Sequence, residues 1–303
     1  MASKTKPVPP APLLAVDAPS VLYRAWFALP QSITGEDGQP VNALLGCLNM
    51  VLQVVADHRP RSVAFCFGPD AAAYRLELYA PYHADRPPVP DGLAPQFARA
   101  PALFDSFGWS TVQSADLEAD DLLHTLATLE RKAGGRALLL TGDRDLFQCV
   151  NDAVSVLYLR TGVRGVETID AAEVKRRYGV PPELVPDFIA LRGDPSDGLP
   201  GAKGVGEKTA AELLRRHGSL EATIEGALGV RSPRLRGALR DDADALRRFK
   251  DIATLRSQKG VKRPPSRATD LAGGARAARG LGMNRLAERL ARHAERPPKG
   301  GLS

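Results

Sequence analysis

Cysteine is scarce in this chain: three residues in 303, Cys47, Cys66 and Cys149, each inside an apolar run and none spaced as Cys-x-x-Cys. Zinc ribbons and disulfide frameworks are therefore not expected. No apolar stretch approaches the ~18 residues that cross a bilayer. The opening Met1-Ala2-Ser3-Lys4-Thr5-Lys6-Pro7 has charge and proline but no apolar centre, so it reads as a tail rather than a signal peptide. No membrane partner and a reducing, cytoplasmic setting follow. No internal repeat is apparent, and no Ser–His or Cys–His constellation marks a side-chain nucleophile.

What is present points elsewhere. With 44% apolar residues the chain can pack one large domain or two ordinary ones. Lys and Arg number 41 against 35 Asp and Glu, a net charge of +6. Many of those acids fall in three short clusters, so the remaining surface is more basic than the net figure, which favours a polyanionic partner. The clusters are Leu117-Glu118-Ala119-Asp120-Asp121, Thr141-Gly142-Asp143-Arg144-Asp145 and Gly193-Asp194-Pro195-Ser196-Asp197. Seven carboxylates at this spacing repel one another unless cations sit among them. The third cluster runs into Gly201-Ala202-Lys203-Gly204-Val205-Gly206-Glu207-Lys208, whose backbone N–H groups can hold a phosphate. Metal-dependent cutting of a phosphodiester is the first reading.

Apolar runs at 13–16, 63–67 and 137–140 end in acidic or turn residues and look like buried parallel strands covered on both faces. Leu122, Leu126 and Leu129 recur at helical spacing, and residues 41–55 predict another helix. Strands alternating with helices indicate an α/β domain with a mainly parallel sheet, in which ligands gather at the carboxyl ends of strands. Asp17 and Asp143 fall at such ends. Residues 71–79 read as a helix, followed by a proline-broken stretch with a basic side from Arg75, His83 and Arg86, which we take as a substrate-facing segment. Beyond about residue 180 the pattern is helical and basic, with 281–290 as a last short helix.

On these motifs the chain resembles the 5′ nuclease family of bacterial polymerase I 5′→3′ exonuclease domains, phage 5′ nucleases and flap endonucleases. The ordered landmarks are Val16-Asp17, Tyr23-Arg24-Ala25, Tyr82-His83-Ala84-Asp85-Arg86, the three acidic clusters and the helix–hairpin–helix at 201–210. The match runs from about 13 to about 292. The resemblance implies a PIN-like α/β sheet domain flanked by helices over 13–180, with a helical arch at about 70–98. A helix–hairpin–helix region would follow over 181–292, between flexible tails at 1–12 and 293–303. It also implies a stand-alone, structure-specific 5′ nuclease without room for a polymerase, monomeric, acting on DNA with a 5′ flap, overhang or nick and on RNA–DNA primers.

By this match Asp17, Glu118, Asp120 and Asp121 would hold one metal cluster, and Asp143, Asp145, Asp194 and Asp197 a second, each suited to Mg²⁺ or Mn²⁺. Tyr23, Arg24, Arg75, Tyr82, His83, Arg86, Lys203, Gly204, Gly206 and Lys208 would contact DNA, and K⁺ would sit at the hairpin. A polymerase or sliding clamp is the implied protein contact. Two positions depart from the pattern. Gly68 stands where relatives have another acid, and Asp70 is a doubtful replacement because Gly68-Pro69 breaks the strand. His83 stands where relatives have lysine, which predicts slower or pH-dependent turnover, since a histidine's charge near neutrality is partial. A DNA-binding relative with weakened catalysis is the alternative these departures raise, and a small-molecule phosphatase is the reading of strand-end acids taken alone.

Overall fold

The apolar runs read from the sequence become the middle of one sheet. The computed structural model describes residues 10–159, 165–230 and 232–295. The expected terminal tails lie largely outside these residues, as does Arg231. In chain order the first part comprises β1 (Leu13–Asp17), α1 (Ala18–Ala28), α2 (Asn42–His58), β2 (Ser62–Phe67), α3 (Ala73–Leu78), α4 (Ala94–Asp105), β3 (Ser110–Gln113), α5 (Ala119–Lys132) and β4 (Ala137–Thr141). A 3-10 turn at Asp145–Cys149 leads to β5 (Val154–Leu159), β6 (Val166–Ile169) and α6 (Ala171–Tyr178). Helices follow: α7 (Val185–Arg192), α8 (Glu207–His217), α9 (Leu220–Glu225), α10 (Pro233–Asp241), α11 (Ala243–Ala253), α12 (Leu271–Gly280) and α13 (Asn284–Ala294).

The strand order is β3-β2-β1-β4-β5-β6, parallel except for the β5–β6 pair. Alternate residues of the central strands serve opposite cores, which is why their sequences are apolar throughout. Leu14, Val16, Phe65 and Leu140 pack with α1, α2 and α4, while Leu13, Ala15, Cys66 and Leu139 pack with α5 and α7. Leu13, Leu14 and Val16 are wholly buried, each contributing about 1.5–3 kcal/mol as an upper bound.

The chain runs outward from β1 through β2 to β3, then returns to lay β4 on the other side of β1. That reversal opens a crevice at the carboxyl ends of β1 and β4, the place where such sheets bind ligands. Asp17 ends β1 and caps α1, its Oδ1 accepting from the Ser20 N–H at 3.0 Å. Asp143 follows β4 by two residues.

Helices α7 and α8 pack together and carry the glycine hairpin between them. Past α11 the chain crosses back along the sheet. Arg263 and Arg61 both pair with the buried Glu130 of α5, and the Asp270 N–H donates to the Phe107 carbonyl. Helices α12 and α13 then join the core formed by α1, α2 and α4 through Ala275, Ala278, Leu286 and Leu290. The 181–292 stretch expected as one helical region thus divides: α7 to α11 pack on one face of the sheet, and α12 with α13 returns to the opposite face. No helix among the described residues is long and apolar enough to cross a membrane.

Candidate active site and nucleic-acid interface

Asp120, Asp143 and Asp145 form the centre of the site, with one carboxylate oxygen from each lying within 4.8 Å of the others. They come from three local structures: the first turn of α5, the loop after β4 and the start of the 3-10 turn. The two groups inferred from the sequence are therefore not separate in space, since Asp120 of the first sits with Asp143 and Asp145 of the second. Asp17 stands beside them, its Oδ2 accepting from the Thr141 hydroxyl at 2.7 Å. That hydroxyl oxygen in turn accepts from the Asp143 N–H at 2.9 Å, and the Ser20 hydroxyl accepts from the Gly142 N–H at 2.9 Å. Thr141 and Ser20 were not singled out from the sequence. The signal was there in Asp17-Ala-Pro-Ser20, a helix-start pattern, and in Thr141-Gly-Asp143 at a strand end.

Burial raises the pKa values of Asp17, Asp120 and Asp145 above the ordinary carboxylate range, and neighbouring acids add to the effect at Asp120 and Asp145. Asp143 is pushed up to about 7, first by desolvation and then by Asp197 and Asp17. The Oδ1 atoms of Asp120 and Asp145 are buried without a hydrogen-bond partner. Buried carboxylate oxygens are otherwise almost always satisfied. Crowded, unpaired hard oxygens are what a divalent cation requires, so the residues fit Mg²⁺ or Mn²⁺.

Glu118 and Asp121 are occupied differently. Both oxygens of Asp121 accept from the Arg75 guanidinium, at 3.1 and 3.2 Å, and they also accept from the Glu118 and Arg256 N–H groups. Glu118 accepts from the Ala72 N–H at 2.7 Å and the Tyr82 hydroxyl at 3.1 Å, and pairs with Arg75 at 2.9 Å. Arg75 and Tyr82, expected on the DNA-facing side, are 2% and 4% exposed. Their place is behind Glu118, because an unpaired carboxylate pair at this depth would be costly. Asp121, expected among the ligands, has no oxygen left over for an ion.

The segment after α3 closes on the third acidic cluster. The His83 ring lies between the Asp70 carbonyl (2.7 Å) and Asp197 Oδ1 (3.1 Å), stacked on Tyr82 with ring centroids 3.8 Å apart. Both nitrogens face acceptors, so both contacts hold only when each carries hydrogen. His83 is buried and adopts a left-handed φ of 57°. In this arrangement it is a strut to Asp197 rather than an exposed phosphate handle. Arg86 bridges Asp70 at 3.2 Å and Asp197 at 3.1 Å at the mouth of the cavity. Asp194 accepts from the Ser196 N–H at 2.9 Å and lines a neighbouring hollow with Asp143.

The cavity over the acids has a volume of about 480 Å³, and Tyr23, Arg24 and Arg86 line it together with Asp17, Asp120 and Asp143. Further along, Lys203, Gly204, Gly206 and Lys208 are exposed on the α7–α8 hairpin, held from beneath by buried Ala202 and Val205. Gly204 has φ +85°, which glycine alone adopts freely, and Gly206 precedes α8 with no side-chain cap, leaving the first-turn N–H groups open.

Residues 12–179 match the profile of the 5'-3' exonuclease N-terminal resolvase-like domain, and residues 180–269 that of the 5'-3' exonuclease C-terminal SAM fold. This chain belongs to the 5'-3' exonuclease family. It is 41% identical over 237 residues to a 5'-3' exonuclease of Mycobacterium tuberculosis, spanning 72% of this chain and 74% of that protein. A 5'-3' exonuclease of Streptomyces coelicolor is 40% identical over 73% of this chain and 77% of its own length. DNA polymerase I of Mycobacterium bovis is 37% identical over 80% of this chain, which spans only 27% of that longer relative. Among solved structures, phage T5 5'-exonuclease with bound zinc superposes with a TM-score of 0.64 at 17% identity, over 93% of this chain and 99% of that one. The catalytic core of Rad2 with DNA substrate gives 0.62 at 15% identity, over 95% and 93%. These two likenesses establish the fold.

Within this 5'-3' exonuclease family member, Gly68 has a specific geometric reason. A Cβ there would lie 2.3 Å from the Leu117 carbonyl oxygen and 2.7 Å from Glu118 backbone atoms. The loop carrying Glu118 therefore rests directly on the bare backbone of residue 68. Asp70 does not take over as a ligand, for its carboxylate turns outward to Arg86.

Proposed function

We propose that this chain is a metal-dependent 5′ nuclease, hydrolysing phosphodiesters as a 5′→3′ exonuclease and 5′-flap endonuclease in DNA replication and repair. The single observation that carries the reading is the half-buried Asp120–Asp143–Asp145 cluster, with two buried oxygens that have no hydrogen-bond partner, at the switch point of a family sheet. Asp17, Asp120, Asp143 and Asp145 would hold the first ions, with Glu118, Asp194 and Asp197 at their margin. Bound divalent ions supply a water activated for attack and charge stabilisation at the leaving oxygen. The protein's own residues position and neutralise. Thr141 and Ser20 fix Asp17 and the Gly142 loop, Arg75 and Tyr82 fix Glu118, and Arg86 offers a cation at the cavity mouth to a phosphate. Lys203, Lys208 and the hairpin amides grip the duplex backbone, a contact that positions without reading sequence. K⁺ at the hairpin belongs to the same reading.

The substrates would be 5′ flaps, overhangs, nicks and RNA–DNA primers, handled by a cytoplasmic monomer alone or beside a polymerase or sliding clamp. A 5′-labelled flap duplex incubated with Mg²⁺ or Mn²⁺ tests the reading: short labelled products are expected, and their absence in both metals refutes it. The second reading, a DNA-binding relative with weakened catalysis, is favoured by the closed Gly68 position. It predicts retained flap binding without products. A small-molecule phosphatase would show none of the steep salt dependence of binding that counterion release gives.

A further inference from the structure

The sheet has an open edge well away from the acids. β3 is its outermost strand, joined to β2 on one side only. Across that pairing the Ser114 N–H donates to the Phe67 carbonyl. Main-chain groups alternate between the two sides of a strand, so Ser110 and Val112 direct theirs toward β2 while Thr111 and Gln113 direct theirs outward. Edge strands are ordinarily blunted by lysine or proline. Ser110-Thr111-Val112-Gln113 carries neither, and two of its four residues are β-branched strand formers.

The chain crossing back after α11 faces this edge, and residues 258–265 form with β3 the two banks of a groove of about 580 Å³. Other partners hold that far bank in place. The Gln258 N–H donates to the Thr125 hydroxyl at 2.9 Å, Arg263 pairs with Glu130, and the Pro264 carbonyl accepts from Arg61 Nη1 at 2.8 Å. Pro264 and Pro265 have no N–H to offer β3. Among the described residues no backbone hydrogen bond joins the two banks, and Gln258 Oε1, in the groove's lining, is buried without a hydrogen-bond partner. The lining holds no Asp or Glu. It does hold Lys259 and Lys262, both exposed and neither paired with an acid among the described residues.

We infer that this groove docks an extended acidic peptide of a partner protein, which adds to β3 as a seventh strand and sets its carboxylates against Lys259 and Lys262. Main-chain pairing supplies the anchor, and the lysines select for acid. A nucleic-acid strand would answer the lysines but not the outward N–H and C=O groups of Thr111 and Gln113, whose two-residue spacing is that of another peptide backbone. The groove shares no lining residue with the cavity over the acids, so a docked peptide leaves that cavity open. The inference goes beyond the nuclease reading and stands or falls separately from it.

The test uses the full chain and a fluorescein-labelled peptide of alternating Asp and Val, with binding read by fluorescence anisotropy. Saturable binding is expected, and none by a peptide of alternating Lys and Val. Two further Asp–Val peptides, N-methylated at every Asp or at every Val, separate strand addition from charge alone. In one pattern the methyl groups face β3, so the two affinities should differ by about tenfold or more. Thr111→Pro removes one outward N–H at an edge where proline is tolerated, and should weaken binding by a similar factor with little change in melting temperature. The methylation comparison is made on wild-type protein, so it decides the matter even if that variant fails to fold. Reversing Lys259 and Lys262 to Glu should abolish binding of the Asp–Val peptide and admit the Lys–Val one. No saturable binding up to about 1 mM peptide overturns the inference. So do equal affinities of the two methylation patterns, or a lysine reversal that weakens single-stranded DNA binding and leaves peptide binding unchanged.

Discussion

Arg75 is the residue whose role changed most between sequence and structure. As a basic residue in a proline-broken stretch it reads as a phosphate contact, yet it is 2% exposed and shares its guanidinium between Glu118 and Asp121. Removing one partner of a buried ion pair strands the other charges, at a cost of about 3–5 kcal/mol. Arg75→Ala should lower unfolding stability by that order in urea titration. Arg75→Lys should recover only part, since an ammonium does not reproduce the two-pronged contact with Asp121. A surface-like change within about 0.5 kcal/mol would contradict the buried role. The acids themselves behave in the opposite sense. Asp120→Asn relieves repulsion at a crowded site, so its melting temperature without metal should hold or rise, while cleavage falls more than about 100-fold through loss of a metal ligand. Full activity in that variant would remove Asp120 from the site.

At the scale of elements, Gly68 shows how a departure in one strand is absorbed by another. Restoring an acid at the end of β2 is the obvious route to a stronger metal site, but the Leu117 carbonyl occupies the space of any side chain there. Gly68→Asp should therefore displace the loop that carries Glu118 and lower cleavage rather than raise it, with a stability loss of about 1–3 kcal/mol from overpacking. A faster Gly68→Asp variant, or one whose stability is unchanged, would show that the loop moves freely. Much of the element layout was legible because the chemistry is local: apolar runs gave β1, β2 and β4, leucines at helical spacing gave α5, and acids at their ends gave Asp17, Asp120 and Asp143 together. Edge strand β3 and the β5–β6 pair were not read, since half-exposed strands such as Ser110–Gln113 lack an unbroken apolar run. Nor was the return of α12 and α13 to the face covered by α1, α2 and α4, because their small apolar residues say that they pack but not against what. The inward turn of Arg75, Tyr82 and His83 depends on contacts more than 30 residues apart, which no local pattern encodes.

For the molecule as a whole, the acidic floor is a strain on folding that a cation relieves, and the sign of its pH dependence can be worked out. Asp17, Asp120 and Asp145 are raised above their ordinary range, and Asp143 to about 7. Between the unfolded value of ~4 and these raised values, the folded protein binds protons that the unfolded chain releases. Stability from this group is therefore fully present below ~4 and is lost as pH rises toward 7. Glu130, lowered by its hydrogen bonds with Arg61 and Arg263 against the opposing effect of burial, works in the other direction, but its contribution is complete once the pH is above its unfolded range. Measured in chelator, the urea midpoint should consequently fall between pH 5.5 and 8. Adding Mg²⁺ should raise the midpoint most at pH 8, because ions take the place of protons and bind more tightly as the carboxylates ionise. The two titrations should draw together as the pH falls toward 5.5, below the value of about 7 to which Asp143 is pushed. A metal-free protein that is more stable at pH 8 than at 5.5, or a Mg²⁺ effect independent of pH, would mean that these four carboxylates do not share one ion-binding pocket.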